Sequence, residues 1–376
     1  MGSLATLPAT RLGSIVVGEA LARGGVDGAE IDEVIMGNVC QAGVGQNPAR
    51  QAALGAGLPE TVAAMTVNKV CGSALKAVMI ADQAIRAGDA KAVIAGGMES
   101  MSNVPFYMMG VRRGYKMGHQ TLVDGLVHDG LTDAYENVHM GETAERVADR
   151  YEVSREQMDE WAVLSHQRAL AAAEAGHFDD EIVSVEVPQR KGAPVVFARD
   201  ESPRADTSME TLARLRPVFR KDGRVTAGNA PGTNDGAAAV LVTSAEYAEE
   251  KNLGVLARIV ASTTAGLAPE WVLMTPEPAI RKILEMTGWS PEEVDYYEIN
   301  EAFAVQQVAL AKVLEIPRER HNVHGGGVAL GHPIGASGAR CLASLVHAMK
   351  RHGKQRGIVS LCLGGGNAVA MAVERD

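Results

Sequence analysis

Four positions in this sequence combine reactive side chains with local chain features that could use them. Cys71 stands in Val67-Asn68-Lys69-Val70-Cys71-Gly72-Ser73-Ala74-Leu75-Lys76, where a strand gives way to a helix. A thiol with an ordinary pKa near ~8.5 is only slightly ionised at neutral pH, and the N–H groups and partial positive charge of a helix start would favour the thiolate. The segment reads either as an activated nucleophile or as a small thiol packed at a helix start. His332 lies in Gly325-Gly326-Gly327-Val328-Ala329-Leu330-Gly331-His332-Pro333-Ile334-Gly335-Ala336-Ser337-Gly338, a run richer in glycine than a structural loop needs. Glycines on both sides allow close approach by backbone or ligand, and Pro333 fixes the chain direction, so a functional imidazole is the better reading. Cys362 ends the apolar run Ile358–Leu363 and is followed by Gly364-Gly365-Gly366, which leaves backbone N–H groups free to bind an oxyanion. Asn300 ends another run, before Glu301-Ala302-Phe303-Ala304, and its amide could orient a polarising water. Covalent chemistry at a thiol, assisted by an imidazole, is what these types offer.

These residues must be positioned by alternating strands and helices, because glycines and short apolar runs punctuate the chain in that rhythm. The pattern predicts a helix over 8–25, a strand over 33–39, a helix over 48–56, a strand over 64–70, a helix over 72–87 and a strand over 92–97. The final third repeats the order. It predicts strands at 257–261 and 296–300, near 322–324 and at 358–363, with helices over 278–287, 303–314 and 335–350.

The spacing indicates an internal duplication. Asn38 precedes Cys71 by 33 residues, and Asn300 precedes His332 by 32. The helices that follow share an apolar stripe, Leu75, Val78 and Met79 in one, Leu342, Leu345 and Val346 in the other. Two strand–helix halves stacked on each other follow from this. The strand at Arg258–Ala261 lies about 40 residues before Asn300, and the same distance before Asn38 runs off the start. The expectation is a first half without its opening strand, the chain either starting at an internal Met or being shortened. Between the halves, Met101–Pro231 differs in character. It holds the Arg112-Arg113 pair and a charged helix around 155–175, and it is too long for a linker. It reads as an inserted loop domain, after which Ala239–Thr243 returns to the first sheet.

Composition excludes several classes. A net charge of −10 over 376 residues argues against nucleic acid and against an anionic membrane surface. No apolar run approaches the ~18 residues needed to span a bilayer, and Met1-Gly2-Ser3-Leu4-Ala5-Thr6 has no basic signal-like pattern. A reducing, cytoplasmic setting is expected, with the four cysteines free and Cys40 and Cys341 inert packing thiols. No metal-ligand spacing occurs among the ten histidines.

Cys-Gly-Ser, Asn-Glu-Ala-Phe, Gly-His-Pro-Ile-Gly-Ala-Ser-Gly and Cys-Leu-Gly-Gly-Gly, in this order and spacing, together with Ala-Gly-Asn-Ala at 227–230, resemble the thiolase family over nearly the whole chain. The resemblance implies an α/β protein with a duplicated five-layer α-β-α-β-α architecture: residues 1–102 plus 232–254 as the first half, 103–231 as a loop domain for coenzyme A binding and tetramerisation, and 255–376 as the second half. It also implies roles. Cys71 would be acylated, His332 would take and return its proton, and Cys362 would move the α-carbon proton of acetyl-CoA. Asn300, through a water, and His332 would hold an enolate oxygen, while the N–H groups of Cys71 and Gly364 would form the second oxyanion site. Val138-His139-Met140-Gly141 resembles the stretch covering the acyl pocket in biosynthetic members, where His139, Met140 and Leu131 would limit the site to acetyl and acetoacetyl groups. Arg204 would grip the adenine or phosphate end of coenzyme A, or be a plain surface arginine. Phe303 would line the pantetheine channel. Tyr115-Lys116-Met117-Gly118 resembles a tetramerisation loop, so a homo-oligomer, dimer or tetramer, is implied. No tightly bound cofactor is implied. Acetyl-CoA, acetoacetyl-CoA and CoA are the expected partners.

Three departures from the family pattern stand out. Pro231 replaces a Ser that binds the pantetheine arm, Ala74 stands where Gly is common, and the absent first strand, central in the family's sheet, would leave two neighbours unpaired. That gap would cost more than a typical stability of ~5–15 kcal/mol. The activity implied is a reversible Claisen condensation by an acetyl-CoA C-acetyltransferase. The alternatives are a broad-chain 3-ketoacyl-CoA thiolase and a truncated homologue that binds coenzyme A without turnover. A β-ketoacyl synthase is disfavoured because Cys362 stands where it would carry a histidine.

Overall fold

The computed structural model describes residues 1–375. Two four-stranded mixed sheets organise it, and each follows one half of the duplication. The first uses β1 (Glu33–Gly37), β2 (Ala63–Val67), β3 (Ala92–Ser100) and β4 (Asp235–Thr243) in the order β2-β1-β3-β4. The second uses β5 (Arg258–Gly266), β6 (Tyr296–Ile299), β7 (Arg356–Leu363) and β8 (Asn367–Glu374) in the order β6-β7-β8-β5. In both, a parallel pair (β1 with β3, β6 with β7) is extended by an antiparallel strand, β4 or β8. β8 adds to the expected set of strands.

Helices cover and separate the sheets. In chain order they are α1 (Ala9–Gly24), α2 (Pro48–Gly55), α3 (Ser73–Ala87), α4 (Met140–Arg150), α5 (Arg155–Glu174), α6 (Pro276–Thr287), α7 (Ala304–Leu314) and α8 (Ser337–His352). The stripes read from the sequence on α3 and α8 meet in one core with Ile35, Val93, Leu361 and Val369, so these two helices form the central layer. Gly338 permits the contact, because a Cβ there would meet the backbone of Leu75. α1 and α2 bury Val17, Ala49, Ala52 and Ala53 on the outer face of the first sheet. α6 and α7 bury Ala279, Ile283, Ala309 and Leu310 on the outer face of the second. The result is five layers, α-β-α-β-α, as expected.

The structure corrects three expectations. The strand expected over 64–70 ends at Val67, because the next residues form the turn that carries Cys71. The strand expected near 322–324 is reduced to a single parallel bridge between Tyr297 and His321. There Asn322 adopts a left-handed φ of 47° and its side chain substitutes for strand pairing, accepting from Ile299 N at 2.8 Å and donating to Ile299 O at 2.8 Å. The third correction concerns the opening strand. Its counterpart in the second half, β5, is an edge strand that pairs only with β8. The equivalent place in the first sheet is therefore the outer edge of β4, and β3 and β4 pair directly over nine residues with no interior gap. The expected loss of two pairings does not arise; what is left is one half-buried edge at β4.

Candidate active site

The turn before α3 is built to present Cys71. Val70 has φ 46°, a left-handed conformation that costs a β-branched residue about 1–3 kcal/mol. Local hydrogen bonds hold it there. Asn68 Oδ1 accepts from Val70 N at 3.0 Å, and Ser73 Oγ accepts from Lys69 N at 2.8 Å while donating to Val70 O at 2.6 Å. Ala74, the departure from the family pattern, is fully buried without crowding, because Gly37 and Gly97 face it with no side chain.

The second half of the site comes from the β7–β8 turn. Gly365 and Gly366 both have φ 81°, which only glycine adopts readily, and the turn they make brings Gly364 beside Val70. The backbone N–H of Gly364 acts to lower the pKa of the Cys71 thiol. Burial nevertheless dominates, pushing the Cys71 thiol up to about 11, with the N–H groups of Gly364 and Cys71 acting in the opposite direction. The sequence anticipated the donors and not the desolvation, so the resting nucleophile is the neutral thiol. Cys362 is also pushed well above the ordinary thiol range, first by burial and then by the nearby Cys71 sulfur. The amide of Gln306 acts the other way, and its buried Nε2 has no hydrogen-bond partner among the described residues.

His332 is buried, and its pKa is lowered to about 3 by desolvation and by the Arg340 guanidinium. Its Nδ1 lies 2.6 Å from Ser337 Oγ, whose own proton goes to Pro333 O at 2.9 Å. The serine can then only accept, so Nδ1 carries the proton and Nε2 is the free base. Asn300 Nδ2 lies 3.4 Å from the ring nitrogens, and Asn234 Oδ1 accepts from His332 N at 2.9 Å. Two buried carboxylates fix the surrounding loops. Glu99 accepts from Asn38 Nδ2 (2.8 Å), Val39 N (3.0 Å) and Gly335 N (2.9 Å). Glu301 accepts from Trp161 Nε1 (2.9 Å), Ser165 Oγ (2.7 Å), Asn322 Nδ2 (3.0 Å) and Val328 N (3.0 Å), tying α5 to the glycine run before His332.

Several other expected residues lie in the apolar clusters that hold these groups. Leu131 and Cys71 pack on one apolar cluster with Cys40 and Ile334. Met140 packs against the core that contains Phe303 and Cys362. His139 caps α4 through Nδ1 and stacks on Phe219 at 4.7 Å, and Phe219 meets Phe303 edge to face at 6.5 Å. Phe219 escaped the sequence reading, although Gly141 is its sequence trace, since a Cβ there would strike the ring. Arg204 is exposed, anchored by its backbone N–H to His166 Nδ1 at 3.0 Å, and makes no contact with the sulfurs. Gln306 and Ser337 were also missed as site residues, and Gln306-Gln307 in an otherwise apolar helix is the signal that could have found the first.

Two thiols, an imidazole and an amide thus stand at the ends of strands and turns in the two duplicated halves. Residues 1–246 match the thiolase N-terminal domain and residues 253–375 the thiolase C-terminal domain. The chain belongs to the thiolase family. An acetyl-CoA acetyltransferase of Pseudomonas aeruginosa is 52% identical over 375 residues, covering 100% of this chain and 95% of that protein. One of Chromobacterium violaceum is 53% identical over 374 residues, with the same coverage. The crystal structure of the Bacillus anthracis acetyl-CoA acetyltransferase superposes with a TM-score of 0.97 at 47% identity, covering 99% of this chain and 94% of that one.

Proposed function

We infer that the chain is an acetyl-CoA C-acetyltransferase that joins two acetyl-CoA molecules to acetoacetyl-CoA and CoA, reversibly, through an acetyl-cysteine. The observation that carries this reading is the turn that presents Cys71, where left-handed Val70 packs against Gly364 of the second half. In the first step His332 Nε2 takes the Cys71 proton, the sulfur attacks the thioester carbonyl, and the proton passes to the departing CoA thiolate. The N–H groups of Cys71 and Gly364 hold the carbonyl oxygen as it gains charge. In the second step His332 Nε2 takes the Cys362 thiol proton, and the Cys362 sulfur removes an α-proton from a second acetyl-CoA. Its high pKa makes it a strong base once ionised. The enolate oxygen is held by the now protonated His332 Nε2 and by a water on Asn300, the α-carbon attacks acetyl-Cys71, and the His332 proton ends on the released Cys71 sulfur.

Leu131, His139 and Met140, with Phe219 behind them, would close the acyl end, and Phe303 would line the pantetheine arm. Arg204 would meet the phosphate or adenine end of coenzyme A, with residues 103–231 acting as the loop domain. The exposed Phe106, Met108, Met109, Val111, Tyr115, Met117 and Leu122 supply an apolar surface for self-association into a dimer or tetramer. The free cysteines suit a reducing cytoplasm. Among the described residues, no helix is long and apolar enough to cross a membrane.

Intact mass after incubation with acetyl-CoA tests the division of labour. The native chain and Cys362→Ala should gain one acetyl group, Cys71→Ala none, and Cys362→Ala should fail to condense. Equal loss of the adduct in both variants would overturn the assignment. On chain length, turnover of acetoacetyl-CoA should exceed that of 3-ketohexadecanoyl-CoA; the reverse order would remove the role given to His139 and Met140.

A further inference from the structure

The fold brings together three histidines that lie far apart in the sequence and outside the catalytic site. His177 follows the end of α5, His324 begins the glycine run, and His352 ends α8. His177 Nδ1 and His324 Nε2 are 3.1 Å apart, and one ring nitrogen from each of the three lies within 4.8 Å of the others. A tetrahedral ion with Zn–N bonds of about 2.0–2.1 Å spaces its nitrogen ligands about 3.3 Å apart. The first pair is close to that spacing, and the exposed His352 lies within 4.8 Å of both. We propose that His177, His324 and His352 form a binding site for Zn²⁺ or a neighbouring late first-row divalent ion.

Several independent features favour a cation over a stack of neutral rings. His324 is buried with its Nε2 facing His177 Nδ1. The C-terminal ends of α5 and α8 both converge here, and helix C-termini carry partial negative charge. Tyr296 Oη is hydrogen-bonded to His352 Nδ1 at 2.8 Å, the outer partner that orients a ligating imidazole and leaves Nε2 for the ion. Arg351, Arg168 and Lys354 are nearby cations that oppose binding, and each is drawn off, Arg351 to Gly176 O at 3.2 Å and Asp180 at 3.6 Å, Arg168 to His321 O at 2.6 Å and Lys354 to Asp295 at 3.7 Å. An ion-only nitrogen donor set with an exposed member suits a borderline ion such as Zn²⁺ better than Mg²⁺ or Ca²⁺. Such an ion would pin the end of α5 and the end of α8 to the loop that leads to His332. Its role is to hold that loop, not to act on substrate.

The full-length chain, freed of metal by a chelator and dialysed, should be titrated with Co²⁺ and Zn²⁺. One equivalent of Co²⁺ should bind with the visible bands of a four- or five-coordinate ion and without a thiolate charge-transfer band. Zn²⁺ should displace it and raise the melting temperature. His177→Ala and His352→Ala should each weaken binding by about tenfold or more and abolish the thermal shift, and Tyr296→Phe should weaken it roughly tenfold. His352 is exposed, so its replacement leaves the fold testable. Absence of saturable binding, a thiolate band, or binding unchanged in His177→Ala and His352→Ala would overturn the proposal.

Discussion

The chemistry assigned to His332 rests on a tautomer, and the tautomer rests on one hydroxyl. Ser337 Oγ gives its proton to Pro333 O and so must accept from His332 Nδ1. Ser337→Ala removes that acceptor from a fully buried position. The ring is then free to protonate at Nε2, which would block proton removal from Cys71. A positioned general base is worth about 10²–10⁴ in rate, and loss of its orientation should forfeit part of that. We expect acetylation of Cys71 to slow by roughly 10–100-fold, with the half-saturating acetyl-CoA concentration little changed. Rapid-quench mass spectrometry reads both quantities. A serine that only fills space would shift neither the rate nor the split between them. The same reasoning explains why the resting Cys71 needs a base at all. Its thiol is pushed up to about 11 by burial, so the nearby N–H groups prepare the attack without ionising the sulfur beforehand.

At the scale of elements, the duplication was legible and its exceptions were not. The stripes on α3 and α8, the strand ends at Asn38 and Asn300, and the turns carrying Cys71, His332 and Cys362 follow from periodicity and glycine placement, which are local signals. β8 is apolar on both faces, Ala368 through Val373 all buried, so it shows no alternation to announce it as a strand. Gln306, Phe219 and the role of Ser337 depend on which distant segment faces them, and no spacing rule contains that. Asn322 is the instructive miss, because a strand was expected where a single side chain now does the pairing. Asn322→Ala would leave Ile299 N and O buried without partners and would remove a donor to Glu301. Each stranded buried group costs about 1–3 kcal/mol. Urea unfolding should therefore show a loss of about 3 kcal/mol. Asn322→Gly, which tolerates the φ of 47°, should recover only about 0.5–1 kcal/mol of it. Full recovery by glycine would mean that backbone conformation, not pairing, is what Asn322 supplies.

At the scale of the molecule, the interior sets how stability depends on pH, and two groups of residues pull in opposite directions. Burial lowers His321, His324 and His332 to about 3. It raises Glu99 and Glu298 to about 7 and Glu181 to about 8. An unfolded histidine takes up its proton near ~6.5 while the folded one does not, so below that pH the unfolded state binds more protons and stability falls with pH. The carboxyls work the other way. Folded, they keep protons that the unfolded chain releases near ~4.5, so they favour the fold at low pH and cost stability as pH rises toward 7 or 8. The total curve mixes both contributions, and a single substitution can isolate one. His321 is fully buried, away from the thiols, and its Nε2 meets Gln307 Oε1 at 2.8 Å, a bond that a glutamine amide can replace. His321→Gln should be the less stable form at pH 7, where the native imidazole is neutral at no cost. As pH falls below 6.5, wild type should lose ground to the variant by about 1.4 kcal/mol per pH unit. Urea unfolding at pH 7, 6 and 5 should show the gap between them narrowing by about 2 kcal/mol. A gap that stays constant across that range would mean that His321 titrates alike in the folded and unfolded chain, and the acid sensitivity of the fold would then have to come from elsewhere.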